Sequence, residues 1–424
     1  MEPLENHQVV GDKNQSTASK QLYHSSWRGT LKTTTFIIRG DKMEIINLKK
    51  ENYEELISVL NEVFSEHNNK KMDFEKELPK MCKKDDEHTG KHYGIKDDGK
   101  IVAVIGIYPI KVNIMGKELM FSTVGNVATL KKYEGKGYMK ALMTFAMDKI
   151  EKMGVDASRL GGARQRYNRY GYEMCASLYK FDVNDYTTKS CYTNRKNIRF
   201  EKIEKDDIDK LEFIKSIRKN NGIYVYRSDD NDILGEYEVL VAWQNTPYIC
   251  IDENGNYTGF ISANEKGDVI SDVCAKDIDS FIDIIYNWQI KVGEKIWFTV
   301  GEYDTEIIKY FSSVCSNMSI YPPCHFKIIN FDKVADALIK LKASYTKLSD
   351  TEFVLGIKDY GNLLICVKDG KAFCEKCDKK PHITLDKLSA TRFLFGPFSP
   401  NTVCDVNLSH ILPLPLTWNT LDRL

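Results

Sequence analysis

The stretch from Val124 to Glu173 limits the fold more than any other part of the chain. An apolar run, Val124-Gly125-Asn126-Val127-Ala128, leads into Lys132-Tyr133-Glu134-Gly135-Lys136-Gly137 and then directly into a helix predicted from Tyr138 to Met153. That helix carries Leu142, Phe145, Ala146, Ile150 and Met153 on one face and stops at Gly154. A second strand follows, then Ser158-Arg159-Leu160-Gly161-Gly162 and a segment rich in arginine and tyrosine, Arg164 to Tyr170. Strand, glycine loop, helix and strand in that order bring several backbone N–H groups to one point at the positive end of a helix. Such a point suits a phosphate.

The surrounding sequence supplies the rest of a mixed sheet. Tyr93-Gly94-Ile95 passes through Asp97-Asp98-Gly99 into Ile101 to Ile105, and Asp-Gly between apolar runs predicts a hairpin. A turn at Met115-Gly116-Lys117 leads into Leu119 to Val127, and Tyr53, Leu56, Ile57, Leu60, Val63 and Phe64 have helical spacing. From Asn197 to Phe326 the plan repeats in outline, ending in a helix from Ile278 to Gln289 and a strand from Ile296 to Val300. The glycine loop is missing there; only Cys274-Ala275-Lys276-Asp277 joins strand to helix. The remainder differs: an amphipathic helix with Val334, Leu338 and Leu341, three strands between Phe353 and Cys374, a short helix near Leu385 to Phe395, and the tail Pro413-Leu414-Pro415-Leu416-Thr417-Trp418. An apolar, proline-stiffened tail is predicted to dock.

A chain of 424 residues exceeds what one core supports, so several domains are expected. Sixty basic and sixty acidic side chains balance, which gives no argument for a nucleic-acid or membrane partner. Eleven cysteines at irregular spacing read as reduced thiols of a cytoplasmic protein, and the polar N-terminus has no secretory core. Residues 1–42, rich in Ser, Thr, Gln, Asn and Lys, read as disordered. Regular patterning starts at Met43, which we expect to be the native first residue, preceded by a translated ribosome-binding site. Cys374-x-x-Cys377 is a single pair and does not specify zinc, and the Asp252 to Asn256 stretch reads as a hairpin turn rather than a calcium loop, so no metal is expected.

The run Val127 to Met139 resembles the acetyl-CoA loop of the GCN5-related N-acetyltransferases (GNAT), whose usual pattern is Gln/Arg-x-x-Gly-x-Gly/Ala; Lys132 stands where Gln or Arg is usual. Tyr167-Asn168-Arg169-Tyr170-Gly171-Tyr172 resembles the later Tyr-x-x-Phe/Leu-Gly-Phe/Tyr segment of that family. The layout in three parts is similar to the enhanced-intracellular-survival (Eis) type. This resemblance implies an α/β (α+β) protein: a catalytic mixed-sheet GNAT domain at 43–190, a degenerate GNAT-like domain at 191–326 and a small sterol-carrier-like α+β domain at 327–424. It further implies acetyl transfer from acetyl-CoA, as co-substrate, to a small-molecule primary amine such as an aminoglycoside, a polyamine or a lysine, and a possible homo-oligomer.

The same resemblance assigns roles. Asn126, Val127, Lys132, Gly135, Lys136, Gly137, Tyr138 and Met139 would bind acetyl-CoA, with Lys131 and Lys140 adding positive charge. Tyr167 would protonate the departing thiolate, and the terminal carboxylate, on Leu424, would enter the site. A base is needed because an alkyl amine is only about one part in a thousand neutral at pH 7. His88 and His92 are the histidines that could serve; Arg164 and Arg166 read as structural, and Glu134 as solvated. The competing reading is a non-catalytic protein that binds acyl-CoA or an apolar ligand.

Overall fold

Turn chemistry and alternating apolar residues set the strands. The computed structural model describes residues 33–38, 41–193, 196–227 and 233–423. Its first strands are β1 (Thr33–Ile38), β2 (Asp41–Asn47), β3 (His92–Asp97), β4 (Lys100–Ile114), β5 (Lys117–Thr129), β6 (Ala157–Leu160) and β7 (Glu173–Cys175). The next are β8 (Leu178–Val183), β9 (Arg199–Lys202), β10 (Ile223–Val225), β11 (Thr246–Ile251), β12 (Tyr257–Ala263), β13 (Ile270–Ala275), β14 (Ile296–Val300), β15 (Asn317–Tyr321) and β16 (Cys324–Ile328). The last four are β17 (Thr351–Ile357), β18 (Gly361–Lys368), β19 (Lys371–Cys377) and β20 (Ile383–Leu385). The β3–β4 hairpin turns at Asp98 and Gly99, both at positive φ, and the β4–β5 hairpin does the same at Met115 and Gly116. Within the stretch expected to be disordered, the structure describes a strand: β1 pairs antiparallel with β2, as a run of Thr, Phe and Ile favours, and residues 1–32 and 39–40 lie outside the described residues.

The first sheet runs β1-β2-β3-β4-β5-β6-β16-β7, with β10 added along β4. Neighbours are antiparallel except β5 and β6, joined in parallel by the Tyr138–Lys152 helix. That helix buries Leu142, Met143, Ala146 and Ile150 against Ile105, Ile107, Val124 and Leu160 on one face. The Tyr53–Asn68 helix covers Ile101, Val104 and Ala128 on the other.

The second part repeats this order. β9, β11, β12 and β13 form an antiparallel run, the Ile278–Val292 helix follows, and β14 meets the residue just before β13 in parallel at one isolated bridge, Val269 to Trp297. β14 and β15 then flank β8. The two sheets therefore exchange a strand. β8, next in sequence after β7, lies between β14 and β15, while β16, next after β15, lies between β6 and β7.

β17 to β20 form a separate four-stranded sheet under the Phe331–Tyr345 helix. Its core is continuous with the first sheet: Leu355 and Ile365 share one cluster with Phe121, Ala157 and Phe326. The tail docks as predicted. Leu414, Leu416 and Trp418 are buried, Ser177 N–H donates to the Leu416 carbonyl at 2.9 Å, and Trp418 stacks on Phe121 at 5.8 Å between ring centres. All eleven cysteines are free thiols, and among the described residues no helix is long and apolar enough to cross a membrane.

Candidate active site

A gap between β5 and β6 defines the site. Their parallel pairing ends at Val124 opposite Leu160, and β5 runs on alone beside β4 to Thr129. At this point β5 bulges. Val104 pairs with Ala128 and Gly106 with Gly125, so Asn126 and Val127 together face only Ile105. Asn126 takes φ 51°, a left-handed conformation that bends the strand.

A buried polar cluster holds the bulge. Asn126 Nδ2 donates to the Tyr108 hydroxyl at 2.7 Å, and that hydroxyl lies 2.8 Å from His92 Nε2. His92 Nδ1 lies 3.3 Å from the His88 carbonyl, which accepts from it. The chain of donors is consistent with a neutral His92 protonated on Nδ1. Gly106 makes room for the arrangement: a Cβ there would lie 2.2 Å from the Tyr108 hydroxyl. Burial pushes His92 down to about 4 and Tyr108 well up from the usual phenol range. A neutral imidazole with both nitrogens engaged cannot take a proton from an ammonium substrate. His92 is therefore a positioning group, not the base, and His88 is held by Asp85 at 2.9 Å.

Beyond the bulge the chain turns through Lys131–Tyr133, then passes Gly135 at φ 77° and Gly137 at φ 89° into the helix. Left-handed φ at both positions explains the glycines. Among the described residues, the N–H groups of Gly135, Lys136, Gly137 and Met139 have no acceptor. Asp97, in the β3–β4 turn, fixes the loop: it accepts from the Tyr138 hydroxyl at 2.7 Å and from Lys136 Nζ at 3.0 Å. These two donors hold the Asp97 carboxyl below its ordinary range. Lys136 also sits 4.8 Å from the centre of the Tyr133 ring. Its ammonium thus braces the loop, and the lysines left beside the loop amides are Lys131, Lys132 and Lys140, of which Lys132 lies 5.7 Å from the same ring centre.

Across the gap, β6 ends and the chain passes Gly161 and Gly162 into the short Arg164–Tyr167 helix. A Cβ on Gly162, at φ 121°, would lie 2.7 Å from the Tyr167 ring, so the ring rests on bare main chain just past the last β5–β6 pair. Tyr167 is buried in one cluster with Val124, Leu142 and Leu160. Burial pushes its hydroxyl up from the ordinary phenol range, with Arg166 opposing, so it stays protonated at neutral pH. Arg164 grips the buried Glu173 through two bonds of 2.6 and 2.7 Å, which pins this helix to β7. Glu134 is exposed.

Leu424 lies outside the described residues. The tail before it is anchored: Asp422 accepts from Arg227 Nε at 2.7 Å, and its carbonyl accepts from the Trp418 ring N–H. The sequence did not point to Asp97, Tyr108 or the role of His92 in the bulge. The available signal was a glycine two residues before a tyrosine in an otherwise apolar strand, Gly106 and Tyr108.

Residues 44–175 match the family model of the acetyltransferase (GNAT) domain. Over 80 residues the chain is 26% identical to the uncharacterised N-acetyltransferase YhbS of Escherichia coli, covering 19% of this chain and 47% of that protein. The match thus spans about half the length of the curated relative. Among solved structures, a conserved protein of unknown function from Enterococcus faecalis superposes with a TM-score of 0.61 at 15% identity, over 87% of this chain and 95% of that one. A GCN5-related N-acetyltransferase from Anabaena variabilis gives 0.60 at 15% identity, over 89% and 98%. Eis1 from Mycobacterium abscessus gives 0.57 at 12% identity, over 84% and 90%. Residues 44–175 thus match a GNAT domain, and the mixed α/β fold is shared with these solved structures.

Proposed function

We propose that the chain is an acetyl-CoA-dependent N-acetyltransferase acting on a small primary amine. The observation that supports this most is that, among the described residues, the N–H groups of Gly135, Lys136, Gly137 and Met139 have no acceptor, at the mouth of the β5–β6 gap. Pyrophosphate oxygens fit there, since glycine lets the backbone approach and the helix start favours negative charge. The backbone of the bulge at Asn126 and Val127, beyond the last β5–β6 pair, would receive the pantetheine arm, with a main-chain N–H polarising the thioester carbonyl.

In this reading the amine nitrogen attacks the thioester carbon, and the carbon–sulfur bond breaks as the tetrahedral state collapses to an amide. Tyr167 donates its proton to the departing thiolate and regains one from the nitrogen by way of solvent. In this reading the terminal carboxylate of Leu424 accepts the proton that the ammonium must lose before attack. The second set of strands, around 191–326, is then a GNAT repeat without a glycine loop, and 327–424 a sterol-carrier-like end domain, as in Eis-type enzymes. The matching strand order supports the repeat.

The test is release of free CoA from acetyl-CoA in the presence of a panel of amines including an aminoglycoside, spermidine and a lysine peptide. Turnover with at least one amine is expected. Acetyl-CoA binding without turnover on any of them would favour the carrier reading, and no acetyl-CoA binding would remove both.

A further inference from the structure

The sheet formed by β14, β8 and β15 is open along one side. β15 runs antiparallel to β8, and among the described residues Asn317 to Ile320 pair with no other strand. The whole stretch is exposed, including two large apolar side chains, Met318 at 43% and Ile320 at 45%. An unpaired edge is normally guarded by a charge, a proline or a bulge. Asn317-Met318-Ser319-Ile320 contains no charged residue and no proline, and its register with β8 runs without a shift. The nearest proline, Pro322, comes only after the strand ends.

The apolar side chains of this edge continue a core face. Met318 stands opposite Phe181, whose ring centre lies 6.0 Å from that of Phe311 in the Thr305–Val314 helix. Phe181 and Phe311 are buried, whereas Met318, one strand further out, is beyond the cover of that helix. Ile320 points the same way, two residues on. The helix itself buries Phe311 and leaves Ile308 and Val314 half-buried. An apolar face thus runs out to a bare edge.

A strand with the same features fits such an edge, and β15 is one. Set antiparallel to a second β15 about a twofold axis at Ser319, Met318 of each copy falls opposite Ile320 of the other. Residues directly opposite share a face, so these apolar groups meet. Charge does not oppose the pairing. The strand carries none, the neighbouring Asp182 is matched by Lys180 and Lys295 at 3.5 and 3.3 Å, and the chain has sixty charges of each sign.

We propose that two copies of this chain associate through β15, giving one continuous sheet in the order β14-β8-β15-β15-β8-β14 with Met318 and Ile320 of both copies in a shared seam. A strand pair this short falls below the about 1,200 Å² of a stable interface, so the half-buried side of the Thr305–Val314 helix supplies the remainder. The pairing lies outside the first sheet and does not depend on the acyl-transfer reading.

Sedimentation equilibrium on the chain of residues 1–424, at about 1–100 μM, tests this. The native chain is expected to be dimeric at the upper end. Met318→Lys and Ile320→Lys each place a charge on the edge and should raise the dissociation constant by at least about tenfold, with far-UV circular dichroism unchanged. Ser319→Cys tests the register: a short bismaleimide should join two copies through that position. The native chain, with its eleven thiols, should give far less cross-linked dimer under the same conditions. A native chain that stays monomeric throughout overturns the proposal and leaves the edge to a strand from a different protein. Association unchanged in a folded Ile320→Lys variant, or Ser319→Cys cross-linking no more than the native chain, overturns it as well by placing the contact elsewhere.

Discussion

Two openings of one topology are lined by different chemistry in this molecule. Each lies where a parallel strand pair parts before a helix, β5 from β6 and β13 from β14. In the first, Gly135 and Gly137 take left-handed φ, their N–H groups have no acceptor among the described residues, and lysines flank them in sequence. In the second, Asp277 occupies the helix start and carboxylates line the walls. The backbone order thus provides a cleft in both places, and the residues at the helix start differ: two left-handed glycines in one, a capping carboxylate in the other.

The largest expected effect separates chemistry from binding in the first opening. Tyr167→Phe should lower turnover by about 10²–10⁴-fold while acetyl-CoA affinity changes little, measured by steady-state rates beside calorimetry. A rate within a few-fold of native would remove the phenol from proton transfer. Next, Gly137→Val forces a β-branched residue to φ 89° and sets a side chain among the amides. Acetyl-CoA affinity should fall by about tenfold or more, since left-handed backbone alone costs ~1–2 kcal/mol.

The two openings should also answer pH in opposite directions. His92 is held at about 4 in the fold against 6.5 outside it, so its neutral form is stabilising above 6.5. That contribution, up to about 3 kcal/mol, is lost as pH falls from 6.5 toward 4. His92→Gln should show no such loss in urea unfolding over that range. Asp304 goes the other way: burial raises it from 3.8 to about 7. Its protonated form favours the fold at low pH, and this stabilisation disappears as pH rises from about 4 to 7. Asp304→Asn should therefore gain on the native chain across that interval; parallel curves would contradict the assignment. The smallest effect concerns the loop brace. Asp97→Asn frees Lys136 and weakens the bond to Tyr138, and should raise the KM for acetyl-CoA about threefold with kcat nearly unchanged, as suits a partly exposed ion pair.

Much of the first opening was legible because its signals are local. Gly135 and Gly137 stand before an amphipathic helix, and Asp98-Gly99 marks its hairpin, so loop, helix and turn follow from neighbouring residues. The bulge could be suspected from Gly125, but not the cluster that holds it, because His92, Tyr108 and Asn126 come from three strands. The exchange of β8 and β16 was not legible. Leu178–Val183 and Cys324–Ile328 are both short strands with apolar positions, and nothing in either says which sheet it joins. The second opening was half legible: the loss of the glycine loop is plain between Val273 and Ile278, whereas its acidic lining comes from Asp272, Asp277 and Asp304, far apart or unremarkable along the chain.

The most direct test is calorimetric titration of acetyl-CoA into the chain of residues 1–424 and into its Gly137→Val and Asp277→Asn variants. The account predicts one site per chain, weakened in Gly137→Val and unaltered in Asp277→Asn. Two sites per chain, or one that survives Gly137→Val and fails in Asp277→Asn, would contradict it.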